Sequence, residues 1–410
     1  MIAVVLFSIV LIEAAASIHT YAASSGTLVK SSSGLVASDP LTQTLSQSQL
    51  SSSSYWSFGG SAQDEGVQYN YYEDSSGLHI GNIGTNSWAG FYAVSPNTNF
   101  MLVHVRLSQS VSTVPSGAFE SGLYVQTYNG LINYVTCYSY TSSQGTLWAV
   151  DYATGNTQQA NSYVTLYHSP LGQPLARDCT IITNGQNYLK VYFDGVLAYQ
   201  SSSLNLNIPA PFQVYLEPES SYTGAELYTT FQNYYVTTGE FITVNGLPSN
   251  AATAQLVNPN TNTVLASAPV SGGSSSIEAG NFVFPLNAII RVVDSSNNVV
   301  ASTPSAVGLY GGDVYTYSAS TTTTSSSSST SSSSTTSSSS SSSSSSTATT
   351  STSLASSTSG MVPLTVNTIN QNGNTITGYY VALLQNGQQI GSAFSPATFQ
   401  LQSGTTYTII

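Results

Sequence analysis

The sequence predicts an all-β protein of several modules, and three observations carry that prediction. Between Tyr55 and Val236, short runs rich in Val, Ile, Tyr and Phe alternate with turn residues, and no apolar stripe of helical spacing interrupts them. Turn pairs of the Asp-Gly and Asn-Gly type stand between such runs, at Asp194-Gly195, Asn372-Gly373 and Asn386-Gly387. A nearly pure Ser/Thr tract from Ser320 to Ser359 then separates folded sequence from folded sequence, because it offers nothing apolar to bury.

Taken in order, residues 1–23 read as a signal peptide. "MIAVVLFSIVLI" is of h-region length and is followed by small residues around Ala22 and Ala23. It is short for a bilayer span, so export is expected in place of anchoring. Residues 24–54 are Ser-rich and weakly patterned, and read as a flexible lead-in. Residues 55–238 hold about a dozen strand-like runs, enough for a two-sheet β-sandwich. Residues 239–318 carry a second β pattern with turns at "NPNTN" and "DSSNN", which reads as a small Ig-like or prealbumin-like sandwich. The linker, 319–360, could span about 130 Å if fully extended. Residues 361–410 begin a further β module that stops in mid-strand, so the natural chain is expected to continue, with any membrane or envelope attachment in that continuation.

Composition narrows the function. Only 5% of the 410 residues are charged, with five Lys and Arg against 17 Asp and Glu, for a net charge of -12. Nucleic acid and anionic lipid both need clustered bases, so neither is an expected partner. Neutral hydroxyl and amide groups supply the polar surface, which suits a secreted or cell-surface protein. The two cysteines, Cys137 and Cys179, read as one disulfide in that compartment. No Asn begins an N-glycan acceptor triplet, so any glycans on the chain would be O-linked.

The stretch "NYLKVYFDGVLAYQSSS" (187–203) predicts a two-residue hairpin at Asp194-Gly195. That register makes Phe193 face Val196, Val191 face Ala198 and Leu189 face Gln200, and puts Lys190, Tyr192, Leu197 and Tyr199 on the other side. Extended to "NIPAPFQVYLEP", the segment resembles the late hairpin of concanavalin A-like lectin and glucanase domains, including their laminin-G-like branch, with its hydrophobic-x-V-Y-x-DG-x-hydrophobic pattern. "GLHIGNIG…WAGFYAV" and "AELYTTFQNYYV" fit the opening and closing strands of that jelly roll. The resemblance covers roughly 55–238 and implies a jelly-roll sandwich that either binds or cleaves sugars. "LTVNTINQNGNTITGYYVALLQNG" is similar to repeated β modules of microbial, often archaeal, cell-surface proteins.

Catalysis has thin support in the residues. Laminarinase-type glucanases carry Glu-x-Asp-x-Glu on one strand, where period two sets the carboxylates on one face. The nearest pattern here is Glu217 and Glu219 in "LEPES", with Pro218 between them suggesting a strand end or sheet edge. His79, His104 and His168 have no partner that the sequence can name, and no G-x-S-x-G elbow occurs. No cofactor is expected, with calcium the exception: Asp64, Glu65 and Asp74, beside Glu73, are the candidate ligands, at a spacing that matches no compact calcium loop. Tyr, present 28 times, is the better clue, since flat aromatic rings stack on sugar C–H faces. The candidate binding residues are Tyr192, Tyr199, Lys190, Trp148, Tyr138 and Tyr140. The expected function is carbohydrate binding or adhesion to a polysaccharide or cell-surface glycan. The alternatives are a structural envelope protein without a ligand and a secreted glycoside hydrolase.

Overall fold

The computed structural model describes residues 26–60, 69–81, 86–94, 98, 100–127, 133–155, 160–222, 227–319 and, in pieces, 361–409. The apolar leader, the loop with Asp64 and Glu65, and the Ser/Thr tract at 320–360 lie outside the described residues, as do Asn372-Gly373 and Asn386-Gly387. The chain divides into two compact units, Met1–Thr323 and Thr324–Ile410.

The first unit is all-β and contains a jelly-roll sandwich of two sheets. The front sheet runs in the order Ala160–His168, Gly145–Gly155, Tyr134–Ser142, Ala118–Thr127, Phe212–Ser220, Gly90–Val94, Ser57–Gly59, with Ser87–Trp88 also paired to Phe212–Ser220. The back sheet runs Val196–Ser201, Leu189–Phe193, Ala176–Thr183, Met101–Gln109, Tyr228–Thr237, Gly77–Gly81, Asn70–Asp74, with Leu35–Asp39 also paired to Tyr228–Thr237. Strict alternation drives the packing: along Phe212–Ser220, Phe212, Val214 and Leu216 point into the core while Gln213, Tyr215 and Glu217 point out. Leu123, Val125, Val135, Trp148 and Val150 from the front sheet meet Val103, Val105, Ile181, Val191 and Phe231 from the back. The Cys137–Cys179 disulfide crosses that core from sheet to sheet.

The second β domain of this unit is one nine-stranded sheet. It runs Val264–Pro269, Thr253–Val257, Leu286–Val293, Val299–Ser302, Gly26–Ser32, Val314–Ala319, Phe241–Asn245, Ser275–Glu278, with Val307–Leu309 beside Leu286–Val293. Its two end strands are joined by residues 270–274 alone, so the sheet curls until its ends meet around Ile242, Leu256, Ile277 and Ile290.

Residues 26–39 are strands and not the flexible lead-in expected from their serines. Gly26–Ser32 pairs antiparallel with Val314–Ala319 and parallel with Val299–Ser302, and Leu35–Asp39 then joins the back sheet of the jelly roll. The jelly roll is therefore inserted into the second domain. Asp313, fully buried, pins the crossing: it accepts hydrogen bonds from the Gly34 and Tyr310 amides and pairs with Lys30 at 2.9 Å. A Cβ on residue 34 would lie 2.0 Å from the Gly311 carbonyl oxygen, so the crossing requires glycine. Their serines hid these strands, because the partners lie far along the sequence, at 299–319 for Gly26–Ser32 and at 234–237 for Leu35–Asp39.

Met361–Val366 pairs with Ala397–Gln402, and Tyr380–Gln385 pairs with Gln388–Phe394 and Thr408–Ile409, around Val381, Leu383 and Phe399.

Candidate functional site

The predicted hairpin forms, with Asp194 at φ 50° and Gly195 at φ 74°. Its register differs from the simple one. Phe193 faces Val196 and Tyr192 faces Leu197, but a bulge then sets Val191 opposite Tyr199 and Lys190 opposite Gln200. The bulge turns Ala198 and Tyr199 onto the edge of the sandwich core, where both are half-buried. Lys190 and Tyr192, by contrast, are buried against the second domain. The Lys190 ammonium lies 2.8 Å from Glu240 Oε2 and 2.6 Å from Glu278 Oε1, and the Tyr192 hydroxyl donates to Glu278 at 3.2 Å. Burial pushes the Lys190 ammonium down, but its hydrogen bonds to Glu240 and Glu278 outweigh burial and hold it above the usual lysine range. These two residues meet neither sugar nor water. Trp148 is fully buried in the core, its indole N–H donated to the Pro174 carbonyl, and it too belongs to no surface.

Tyr138 and Tyr140 stand on the outer face of the front sheet, and the register around them builds a site. Four rows cross the strands. The first is Trp88, Glu219, Glu120, Tyr140, Leu147. The second is Glu217, Gly122, Tyr138, Ala149, ending at His168. The third is Tyr92, Tyr215, Tyr124, Thr136, Asp151, Thr165, and the fourth is Gln213, Gln126, Tyr134, Ala153, Tyr163. Gly122 is the key to the surface. A Cβ there would lie 2.7 Å from the Tyr124 ring, so the missing side chain lets that ring lie down between Glu217 and Tyr138. Tyr92 and Tyr215 stack at 4.9 Å, Trp88 meets Tyr215 edge-on at 6.1 Å, and Tyr134 bridges Tyr124 and Tyr163. The result is an aromatic cluster with carboxyls along one side.

Glu217 and Glu219 sit on this face, in the middle of the sheet and not at its edge. Pro218 is accommodated because the neighbouring strand breaks beside it: Ser87–Trp88 ends, Gly90–Val94 begins, and Ala89 between them donates to the Pro218 carbonyl. The sequence reading missed Glu120, which comes from another strand and pairs directly opposite Glu219, at a Cβ separation of about 5 Å. Alternation in "FESGLYVQT" does put Glu120, Gly122, Tyr124 and Gln126 on one face; only the identity of the partner strand is absent from the sequence.

Crowding carboxyls on a partly desolvated face raises their proton affinity. Burial, then Glu219 and Asp151, push Glu120 up to about 7. Burial, then Glu219 and Glu120, hold Glu217 well above the usual range. Glu219, the exposed member, is pushed up by its partial burial, as is Asp151, which accepts a 2.9 Å hydrogen bond from the Tyr138 hydroxyl. Near neutral pH the face therefore holds protons that ordinary carboxylates would have lost. None of the chain's five basic side chains reaches it: Lys30, Arg106, Arg177 and Lys190 are paired with acids elsewhere, and Arg291 bonds Gln255 and Asn262.

Of the candidate calcium ligands, Asp74 lies among the described residues and is engaged locally. Asp74 accepts from Ser76 and pairs with His79 Nε2 at 3.1 Å, while His79 Nδ1 meets Thr230. Ser76 and Asp74 share one ring nitrogen, which is not the arrangement that relays a proton through an imidazole. Among the described residues no group of three or more His, Cys, Asp or Glu is placed to hold a metal ion, and no helix is long and apolar enough to cross a membrane.

No family model matches the chain, and no curated protein matches it. Solved structures with partial likeness include the Emp46p carbohydrate recognition domain in its metal-free form, at 10% identity over 50% of this chain and 96% of that one, with a TM-score of 0.36. The CBM2 module of an evolved Dit from Lactobacillus casei BL23 phage J-1 shares 14% identity over 52% of this chain and 96% of its own, with a TM-score of 0.35. A sialidase matches at 10% identity and a TM-score of 0.33 over 51% of this chain, which spans only 19% of the sialidase.

Proposed function

We propose that the front sheet of the jelly roll is a glycan-binding surface and that the protein serves adhesion to polysaccharide, in the manner of a concanavalin A-like module. The observation that carries this reading is the row Tyr92, Tyr215, Tyr124 beside Glu217, Gly122 and Tyr138, a cluster of aromatic rings and carboxyls on the outer face of the front sheet. Aromatic rings pack against sugar C–H groups, and protonated carboxyls, amides and phenols exchange hydrogen bonds with ring hydroxyls. With four carboxyls and no Lys or Arg on the face, neutral or amine-bearing sugars are the favoured ligands, and uronates or sulfated glycans are disfavoured. Secretion and display at the cell surface, with the Ser/Thr tract as a stalk, complete the proposal and rest on the leader and the composition.

A glycan array followed by calorimetry on the best ligand tests the reading. The double variant Tyr215→Ala/Tyr138→Ala should lose at least ten-fold in affinity while remaining folded by circular dichroism. Binding only to polyanionic glycans, or equal binding by the double variant, would refute it.

One observation favours a second reading. Glu219 and Glu120 oppose each other at a spacing from which two carboxyl groups can flank a glycosidic bond, one as acid and one as nucleophile or base. As a glycoside hydrolase the protein should release reducing ends from a neutral polysaccharide, and both Glu120→Gln and Glu219→Gln should abolish that release without abolishing binding.

A further inference from the structure

His104 lies on the outer side of the back sheet, in the row Tyr192, Thr180, His104, Tyr235. Its neighbour on the same side of the strand, Arg106, keeps 39% of its side chain in solvent, yet His104 keeps none. The difference is the second domain. Leu102, Ile182, Tyr192 and Tyr235 from the back sheet share one apolar cluster with Ile242, Val244, Phe284 and Leu309, and His104 is enclosed by that seam.

The enclosed imidazole is incompletely bonded. Nδ1 meets the Thr180 hydroxyl at 2.9 Å, whereas Nε2 has no hydrogen-bond partner. The nearest acid, Asp178 Oδ1, stands 3.7 Å from Nε2, and the other oxygen of that carboxylate is held by Arg106 at 3.1 Å. Tyr235 stacks on the imidazole at 4.6 Å and 9°, and its hydroxyl accepts the Phe284 amide hydrogen from the second domain. The groups facing His104 are thus Arg106 on its own strand, Asp178 and Thr180 on one side, and Tyr235 on the other. Phe284 and Tyr310 of the second domain pack on Tyr235, and Asp194 lies beyond Asp178. The Lys190, Glu240 and Glu278 cluster lies one row farther along the seam.

We propose that His104 is a proton-operated latch, protonation of which releases the second domain from the back sheet of the jelly roll. The closed seam leaves Nε2 with no acceptor within hydrogen-bond distance, Asp178 Oδ1 standing off at 3.7 Å, places the ring beside a guanidinium and keeps it fully buried, so the proton enters only as the seam opens. Burial first, and then Arg106, hold the closed-state imidazole down at about 3. The sign follows: between that value and about 6.5 the open seam binds a proton that the closed seam does not, so opening grows as pH falls through this window. Phe284, hydrogen-bonded through Tyr235, moves with it.

Hydrogen–deuterium exchange on the whole chain tests the latch, following the segment that contains the Phe284 amide and correcting for the intrinsic pH dependence of exchange. Opening of that segment should rise roughly 100-fold between pH 7 and pH 4. His104→Gln should lose most of that rise. Glu240→Gln, which alters the other charged group of the seam, should keep it. Slow exchange at the His104 ring C–H provides a readout on the unmodified protein: His104 should remain protected and untitrated wherever the Phe284 segment is closed. A pH-independent seam in the wild type, an unchanged rise in His104→Gln, or a His104 that titrates near 6.5 with the seam still closed would each overturn the proposal.

Discussion

The two outer faces of the jelly roll are made from the same residue types and do opposite things with them. Both carry tyrosines and carboxyls set out by strand alternation. The back face meets the second domain, and its basic side chains there are paired with acids: Lys190 between Glu240 and Glu278, Arg106 on Asp178. The front face carries its carboxyls crowded against one another with no Lys or Arg among them. A covered face must neutralise its charges to be stable, whereas an uncovered one can keep a frustrated cluster for a ligand to satisfy. The difference reaches pH dependence as well. Protons should stabilise the front face and loosen the back one.

The largest test of that contrast removes one ionisable group from each side. Lys190→Ala would leave Glu240, only 1% exposed, buried without its cation, and should destabilise the first unit by about 3–5 kcal/mol in urea denaturation. Pairing it with Glu240→Leu should recover most of the loss, because an unpaired buried charge costs more than an apolar pair. Glu217→Gln on the front face should be neutral or stabilising at pH 7. If both single variants were equally harmful, the front cluster would be a structural network like the back one.

Much of this contrast was readable before the fold, and the unread part has a physical reason. Alternation assigns Tyr138 and Tyr140, and Glu217 and Glu219, to outward faces correctly, because period two is local. Which sheet those faces belong to, and what covers them, depends on pairings between distant strands. Lys190 and Tyr192 look like a binding surface for that reason: an exposed polar face and one buried against a polar partner read alike in a strand. Trp148 reads as a stacking platform because its indole hydrogen bond, to Pro174 O, is equally invisible. Glu120 is the converse case, unremarkable until the register sets it opposite Glu219. The bulge that turns Tyr199 is a one-residue event that no alternation pattern encodes.

A smaller effect separates the faces by their response to acid. Burial and its acidic neighbours push Glu120 from 4.5 up to about 7. The folded state therefore holds more protons than the unfolded one between those values. The stability Glu120 contributes is complete below pH 4.5 and is lost as pH rises through 7. After allowance for solvent screening of a half-buried group, that loss should be about 1–2 kcal/mol. Urea titrations across pH 4.5 to 8 should show it in the wild type and not in Glu120→Gln. The seam around His104 contributes the opposite slope, so His104→Gln should expose the front-face term more cleanly than the wild type does.

The smallest effect asks what the tyrosines of the front face are for. Tyr138 donates its hydroxyl to Asp151 at 2.9 Å and stands across from Gly122 on the neighbouring strand. Tyr138→Phe keeps the ring and strands the carboxyl, which should lower stability by about 1 kcal/mol. Burial, then Asp151 and Glu120, hold the Tyr138 phenol above its ordinary range, so the hydroxyl stays a donor at every pH of interest. If stacking dominates recognition, the Phe variant should bind glycan within about three-fold of wild type, and only Tyr138→Ala should fail. Equal failure of both variants would mean that Asp151, held by that hydroxyl, contacts the sugar. The aromatic cluster would then be scaffolding for a carboxyl site, in the same way that Tyr192 on the back face holds Glu278.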